Sequence, residues 1–158
     1  MRAAVFLADA AQVDASGKVN ALGLGWRSCP SPVPAFTIVI VLDIDWDETN
    51  TPHRLTIELL TQDGQPATAT GPFGPQPIWF QATAEAGRAV GAVPGTSVRM
   101  PFAISIGAGL QLEPGLYQWR VSVEGFPDAT ATESFNFQLA RASGPPPPQQ
   151  QPPQPPHG

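Results

Sequence analysis

Cysteine is almost missing from this chain: Cys29 is its single copy, so no internal disulfide can form and stability has to come from packing. A reducing compartment, the cytoplasm, is the expected location. Histidine is nearly as scarce, with only His53 and His157. A zinc centre would have to lean on carboxylates, and the recognised ligand spacings are absent. Cys29 with His53 would be the one nucleophile–base pair on offer, and no third group stands ready to orient the base. Basic residues number 8 against 13 acids, a net charge of −5, and they are scattered along the chain. A surface of that kind repels phosphate backbones, so no nucleic-acid partner is expected. Long apolar runs are missing too. Ala3 to Ala8 has six apolar residues and Ile38 to Leu42 has five, where a membrane helix needs about twenty. The first run is also too short for a signal peptide, so neither membrane nor export is expected.

What the chain has is proline, glycine and alternation. Its 158 residues fit one domain, long enough to bury roughly two-thirds of the unfolded surface without staples. Apolar residues recur with a period of two and turn residues return every ten or so positions, the pattern of an all-β protein. Strands are predicted over 4–13 and 18–24 as an opening hairpin, then over 36–46, 53–60, 65–70, 78–84, 98–106, 117–123 and 133–139. The expected fold is a two-sheet antiparallel β-sandwich, immunoglobulin-like, of seven to nine strands, spanning residues 1–141.

Several positions carry sharper expectations. Tyr117, Trp119, Val121 and Val123 share a face just after Pro114-Gly115, so Tyr117 is placed to lay its ring on the core while its hydroxyl caps the preceding backbone, as in a tyrosine corner. Phe36 to Trp46 reads as a central strand with Phe36, Ile38, Ile40, Leu42, Ile44 and Trp46 on one face. Gly23 and Gly25 ahead of Trp26 suggest a bulge or a close backbone approach. Pro30, Pro32 and Pro34 argue against regular pairing there, and Pro101 either puts its strand at an edge or places that position away from its neighbour. Glu85 to Gly95 reads as a loop. Residues 142–158, rich in Pro and Gln, are expected to form a disordered tail, a polyproline II rod of roughly 40 Å at about 3.1 Å per residue.

Asp43, Asp45 and Asp47 form the one candidate metal site. On a strand they share a face, and three carboxylates at one end of a sandwich suit Ca²⁺, which takes oxygen ligands. The plainer reading is a solvated strand end that guards an edge. Trp26 and Trp79, both beside loops, are the aromatics left for a ligand face, since Trp46 and Trp119 follow the inward register. No catalytic residue and no cofactor is predicted.

Leu7-Ala8-Asp9-Ala10-Ala11 and Gly23-Leu24-Gly25-Trp26, with Trp46-Asp47-Glu48, the 54–60 strand ending in Asp63-Gly64, and the 112–119 turn and strand, resemble a family of small uncharacterised proteins of actinobacteria and related bacteria. The resemblance implies a single β-sandwich domain and no assigned activity. The expected function is therefore a non-enzymatic protein-interaction or assembly module whose partner is another protein or a second copy. A small-ligand or Ca²⁺-binding sandwich and a structural component of a phage or other large assembly are the alternatives.

Overall fold

The strand Phe36–Ile44 (β5) organises the molecule because it is apolar on both faces. Ile38, Ile40, Leu42 and Ile44 point into the core with none of their surface exposed, while Thr37 and Val39 on the opposite face are also buried. In a computed structural model that describes residues 1–71 and 74–139, β5 lies between Arg2–Ala8 (β1) and Val98–Ile106 (β10), antiparallel to both. Its central place and the edge position of β10, with Pro101, agree with the sequence reading. The expected tail at 142–158 lies outside the described residues.

A second sheet has five strands, Ser28–Pro30 (β4), Phe126–Gln138 (β12), Gly115–Val123 (β11), His53–Thr61 (β6) and Trp79–Ala84 (β9), in the order β4-β12-β11-β6-β9. Two ribbons complete the set: Ala10–Val13 (β2) with Val19–Leu22 (β3), and Thr68–Gly71 (β7) with Gly74–Pro77 (β8). The described residues are all-β, with no α-helix and a single 3-10 turn, Trp46–Glu48. Val5 and Leu7 of β1, the inward row of β5, Leu55, Ile57 and Leu59 of β6, Trp119 and Val121 of β11 and Phe135 of β12 join one core cluster, so both large sheets close on the same interior. The β2–β3 ribbon packs across the outer face of β5 and β10, which is why Thr37 and Val39 are dry.

Twelve strands form among the described residues, more than the seven to nine expected, and the differences have local causes. The strand expected over 4–13 breaks at Asp9: β1 pairs with β5, then the chain crosses over and β2 pairs with β3. The opening hairpin therefore forms, but from the second half of that run only. Pro30 sits in a strand after all. This short segment is an edge strand that runs parallel to β12, where a missing donor is tolerated. The last strand starts at Phe126 rather than near Glu133, because Glu124-Gly125, with Gly125 at φ +81°, makes a two-residue hairpin turn after Val123. Leu139, expected inward, is exposed beyond its end. The expected weak strand at 65–70 becomes an isolated bridge at Pro66 and then β7, which pairs with the Gly- and Pro-containing β8.

Candidate functional site

Among the described residues, four gatherings of polar groups bear on a possible site, and in each the groups have structural partners. The first lies where the chain leaves β1. Asp9 donates its amide to the Leu22 carbonyl at 3.0 Å, Gly25 donates to the Leu7 carbonyl at 2.9 Å, and the Trp26 indole Nε1 donates to Asp9 Oδ1 at 2.7 Å. Gly23 adopts φ +64°, and a Cβ built there would lie 2.0 Å from Asp9 Oδ2. The carboxylate therefore occupies the space that only a glycine leaves open. Trp26 in turn rests on Phe36, with ring centroids 5.2 Å apart. The close approach expected from Gly23 and Gly25 is this clasp, which fastens the β2–β3 ribbon to the body.

The second place holds the acidic candidates. Asp43 stands on the outer face of β5 between Arg2 and Arg99, its cross-strand neighbours. Arg99 Nε and Nη2 reach its two oxygens at 2.8 and 3.0 Å, and Arg2 Nη2 lies at 3.9 Å. This fork holds the Asp43 carboxyl below the usual carboxylate range. Asp45 accepts from the Met1 ammonium, which also reaches Glu48 Oε2 at 3.0 Å. Asp47 falls inside the 3-10 turn, whose three-residue period ends the alternation that would have kept it in line with Asp43 and Asp45. Among the described residues, no group of three or more His, Cys, Asp or Glu side chains is placed to hold a metal ion. A groove of about 280 Å³ runs beside Asp43, floored by Ala4, Phe6 and Val41 and rimmed by Arg2 and Arg99.

The third place is the turn after β5. Trp46, expected on the inward face of that strand, is half-buried in the 3-10 turn, and the Arg88 guanidinium lies 4.3 Å over its ring. Arg88 also donates to Thr49 Oγ1 and to the Trp46 carbonyl, both at 2.7 Å. That pins the expected loop at 85–95, whose Ala86 is buried. Arg88 gave no warning in the sequence, since a lone arginine among Ala and Gly has no periodic partner.

The fourth is the end of β6. His53 is buried, with Nε2 2.7 Å from the Glu48 carbonyl and its ring edge-on to Phe126 at 5.3 Å. Beside it lies an open groove of about 470 Å³ bordered by Arg54 and Glu124, themselves 3.4 Å apart. Cys29 is buried on β4, its thiol pushed up by desolvation. Two strands, β12 and β11, separate β4 from β6, and the register sets Cys29 level with Gly115 at one end of β11 while His53 lies past Val123 at the other, so the two side chains are more than about 30 Å apart at roughly 3.3 Å per residue, out of reach of a shared proton. Of the tryptophans left as a ligand face, Trp79 is 53% exposed, whereas Trp26 is committed to Asp9 and Phe36.

Tyr117 behaves as its position foretold. Its hydroxyl donates to the Glu113 carbonyl at 2.7 Å and its ring stacks near Phe135.

A family model for a family of unknown function, DUF6941, matches residues 3–132. The chain belongs to that family. The match runs from β1 into β12, so it takes in the Asp9–Trp26 clasp, the Asp43–Arg99 fork and the Arg88 anchor. Every segment that carried the resemblance noted from the sequence lies within it. No curated protein matches the chain. No helix among the described residues is long and apolar enough to cross a membrane.

Proposed function

We propose that this DUF6941 member is a non-enzymatic interaction or assembly module of bacterial cytoplasm, built as a two-sheet, immunoglobulin-like β-sandwich that presents a sheet face to a protein partner. The observation that carries the reading is the outer face of the β1-β5-β10 sheet. One half lies under the β2–β3 ribbon, where Thr37 and Val39 are 3% and 1% exposed. The adjoining half, with Phe6 38% exposed beside Ala4 and Val41, has no such roof among the described residues. Apolar side chains on ordered strands beside a charged rim are what an interface core and rim require. Arg2 and Arg99 outnumber Asp43 on that rim, so a partner with an acidic border fits best. The titratable groups elsewhere support the same reading, because Arg88, His53, Asp9 and Tyr117 each hold backbone or a neighbouring ring in place.

Site-specific photo-crosslinking in the native host tests this. A crosslinker at Phe6 should give a discrete protein adduct, and one at the exposed, polar Thr132 of β12 should not. Equal labelling at both sites, or none at Phe6, would remove the reading.

A further inference from the structure

The free side of β9 is a sheet edge without the usual protection. Edge strands are normally kept short or carry Lys, Pro or a bulge, which stops another strand from adding to them. Among the described residues, β10 has Arg99 and Pro101, β4 is three residues ending on Pro30, and β1 lies against β12. The strand β9, Trp79-Phe80-Gln81-Ala82-Thr83-Ala84, has no charge and no proline. Its inward residues Phe80 and Ala82 are only half-buried, although the β6 residues opposite them, Ile57 and Leu55, are fully buried.

The phase of the ladder decides what that edge offers. Leu59 donates to the Ile78 carbonyl at 2.9 Å, one position before β9 begins. Residues in an antiparallel pair alternate between bonding across to the partner and pointing their N–H and C=O away. In the observed register, Phe80, Ala82 and Ala84 therefore bond to Ile57, Leu55 and His53. The backbone groups of Trp79, Gln81 and Thr83 point outward, and among the described residues no hydrogen bond reaches them.

From this spacing we infer that β9 pairs antiparallel with β9 of a second copy about a twofold axis at Gln81, joining the two five-stranded sheets into one. This goes beyond the outer-face reading above, because it uses a different part of the molecule. The axis places Gln81 opposite Gln81 of the second copy and Trp79 opposite Thr83, each pair exchanging two hydrogen bonds. All three outward-pointing residues are then satisfied by the same operation. Electrostatics favours a self-match despite the net charge of −5, since the strand is neutral and the charges of the next row are engaged, Glu58 with Arg120 and Arg54 with Glu124. Trp79 comes to cover the β-branched Thr83 of the other copy, a favourable cross-strand pairing.

Sedimentation equilibrium of the full chain from about 1 µM to about 1 mM tests the pairing. The wild type should dimerise. Gln81→Lys sets two like charges face to face at the axis and should raise the dissociation constant at least about tenfold. Gln81→Pro removes an outward donor and should do the same, and the Lys variant keeps the test alive if the Pro variant does not fold. Melting temperature at the lowest concentration should be unchanged for Gln81→Lys. Amide exchange at Trp79, Gln81 and Thr83 should slow as concentration rises. A monomer throughout the range overturns the inference, as does a dimer indifferent to Gln81→Lys. A monomer that still gives the Phe6 adduct sinks this pairing alone, whereas a β9 dimer without that adduct sinks the outer-face reading and leaves the pairing standing.

Discussion

Replacing Gly23 by alanine probes the clasp most directly. The new Cβ meets Asp9 Oδ2 at 2.0 Å and Asp9 Cγ at 2.5 Å, so the carboxylate has to leave. Its departure breaks the hydrogen bond from Trp26 Nε1, which at this exposed site is worth about 1 kcal/mol. Holding alanine at φ +64° adds about 1 kcal/mol or somewhat more. The expected loss is about 2 to 3 kcal/mol, a fall of about 5–10 °C in melting temperature for a chain of this size. Asp9→Ala alone should cost about 1 kcal/mol, the hydrogen bond by itself. With Asp9 truncated there is nothing left for the introduced methyl to displace, so the double variant should lose only about 2 kcal/mol, less than the sum. Urea unfolding of the four proteins, followed by tryptophan fluorescence, measures the cycle. Strict additivity, or a Gly23→Ala variant as stable as wild type, would refute the reasoning.

Three further outcomes are expected. Tyr117 is the single tyrosine, and burial raises its phenol above the ordinary value. A raised native value means the unfolded chain loses its proton first, so this contribution is intact below the unfolded pKa near 10 and fades as pH climbs through the native value. Tyrosinate absorbance should show the late ionisation, and Tyr117→Phe should cost about 1 kcal/mol for the lost bond to Glu113 while abolishing that signal. The Arg99 fork depresses Asp43, so its stabilisation is present above the unfolded pKa near 3.9 and is lost as pH falls through the native value. Asp43→Asn should flatten the acid limb of stability against pH by less than about 1 kcal/mol, the partner being exposed. Ca²⁺ should leave the melting temperature unchanged, because Asp43 is already occupied by Arg99. Trp119 is fully buried, and among the described residues its Nε1 has no acceptor. Removing that donor offsets part of the lost packing, so Trp119→Phe should destabilise by no more than about 1–2 kcal/mol, against about 3–5 kcal/mol for Trp119→Ala in chemical denaturation.

Much of the architecture was written in period-two alternation and turn chemistry. β5, β6, β9, β10 and β11 emerge close to their expected bounds because each buries a row of apolar side chains, and Tyr117 found its carbonyl because the turn and register fix where a hydroxyl can reach. Elements set by tertiary context were harder to see. Phe126–Thr132 is polar and holds Pro127, so its own residues argue weakly for a strand; a hairpin with β11 supplies the pairing. Asp9 breaks a run of good strand formers through contacts with residues 22–26 that no local window contains. The fate of Asp47 and Trp46 turned on a 3-10 turn anchored by Arg88, more than forty residues downstream of Trp46 in sequence. Strand parity puts Asp47 in line with Asp43 and Asp45, but β5 ends at Ile44 and the 3-10 turn begins two residues later, at Trp46.

The Asp14–Gly17 turn has a practical use. Asp14 Oδ1 accepts from the amides of Ser16 and Lys18 and from the Ser16 hydroxyl, so the tip of the ribbon is closed by its own side chain and borrows nothing from the body. A peptide epitope or fluorophore-ligation tag grafted between Ala15 and Ser16 would open only these local bonds, at the far end of the ribbon from the Asp9 fastening. It would report on the molecule in living cells while leaving the groove at Phe6 and the margin at Gln81 untouched.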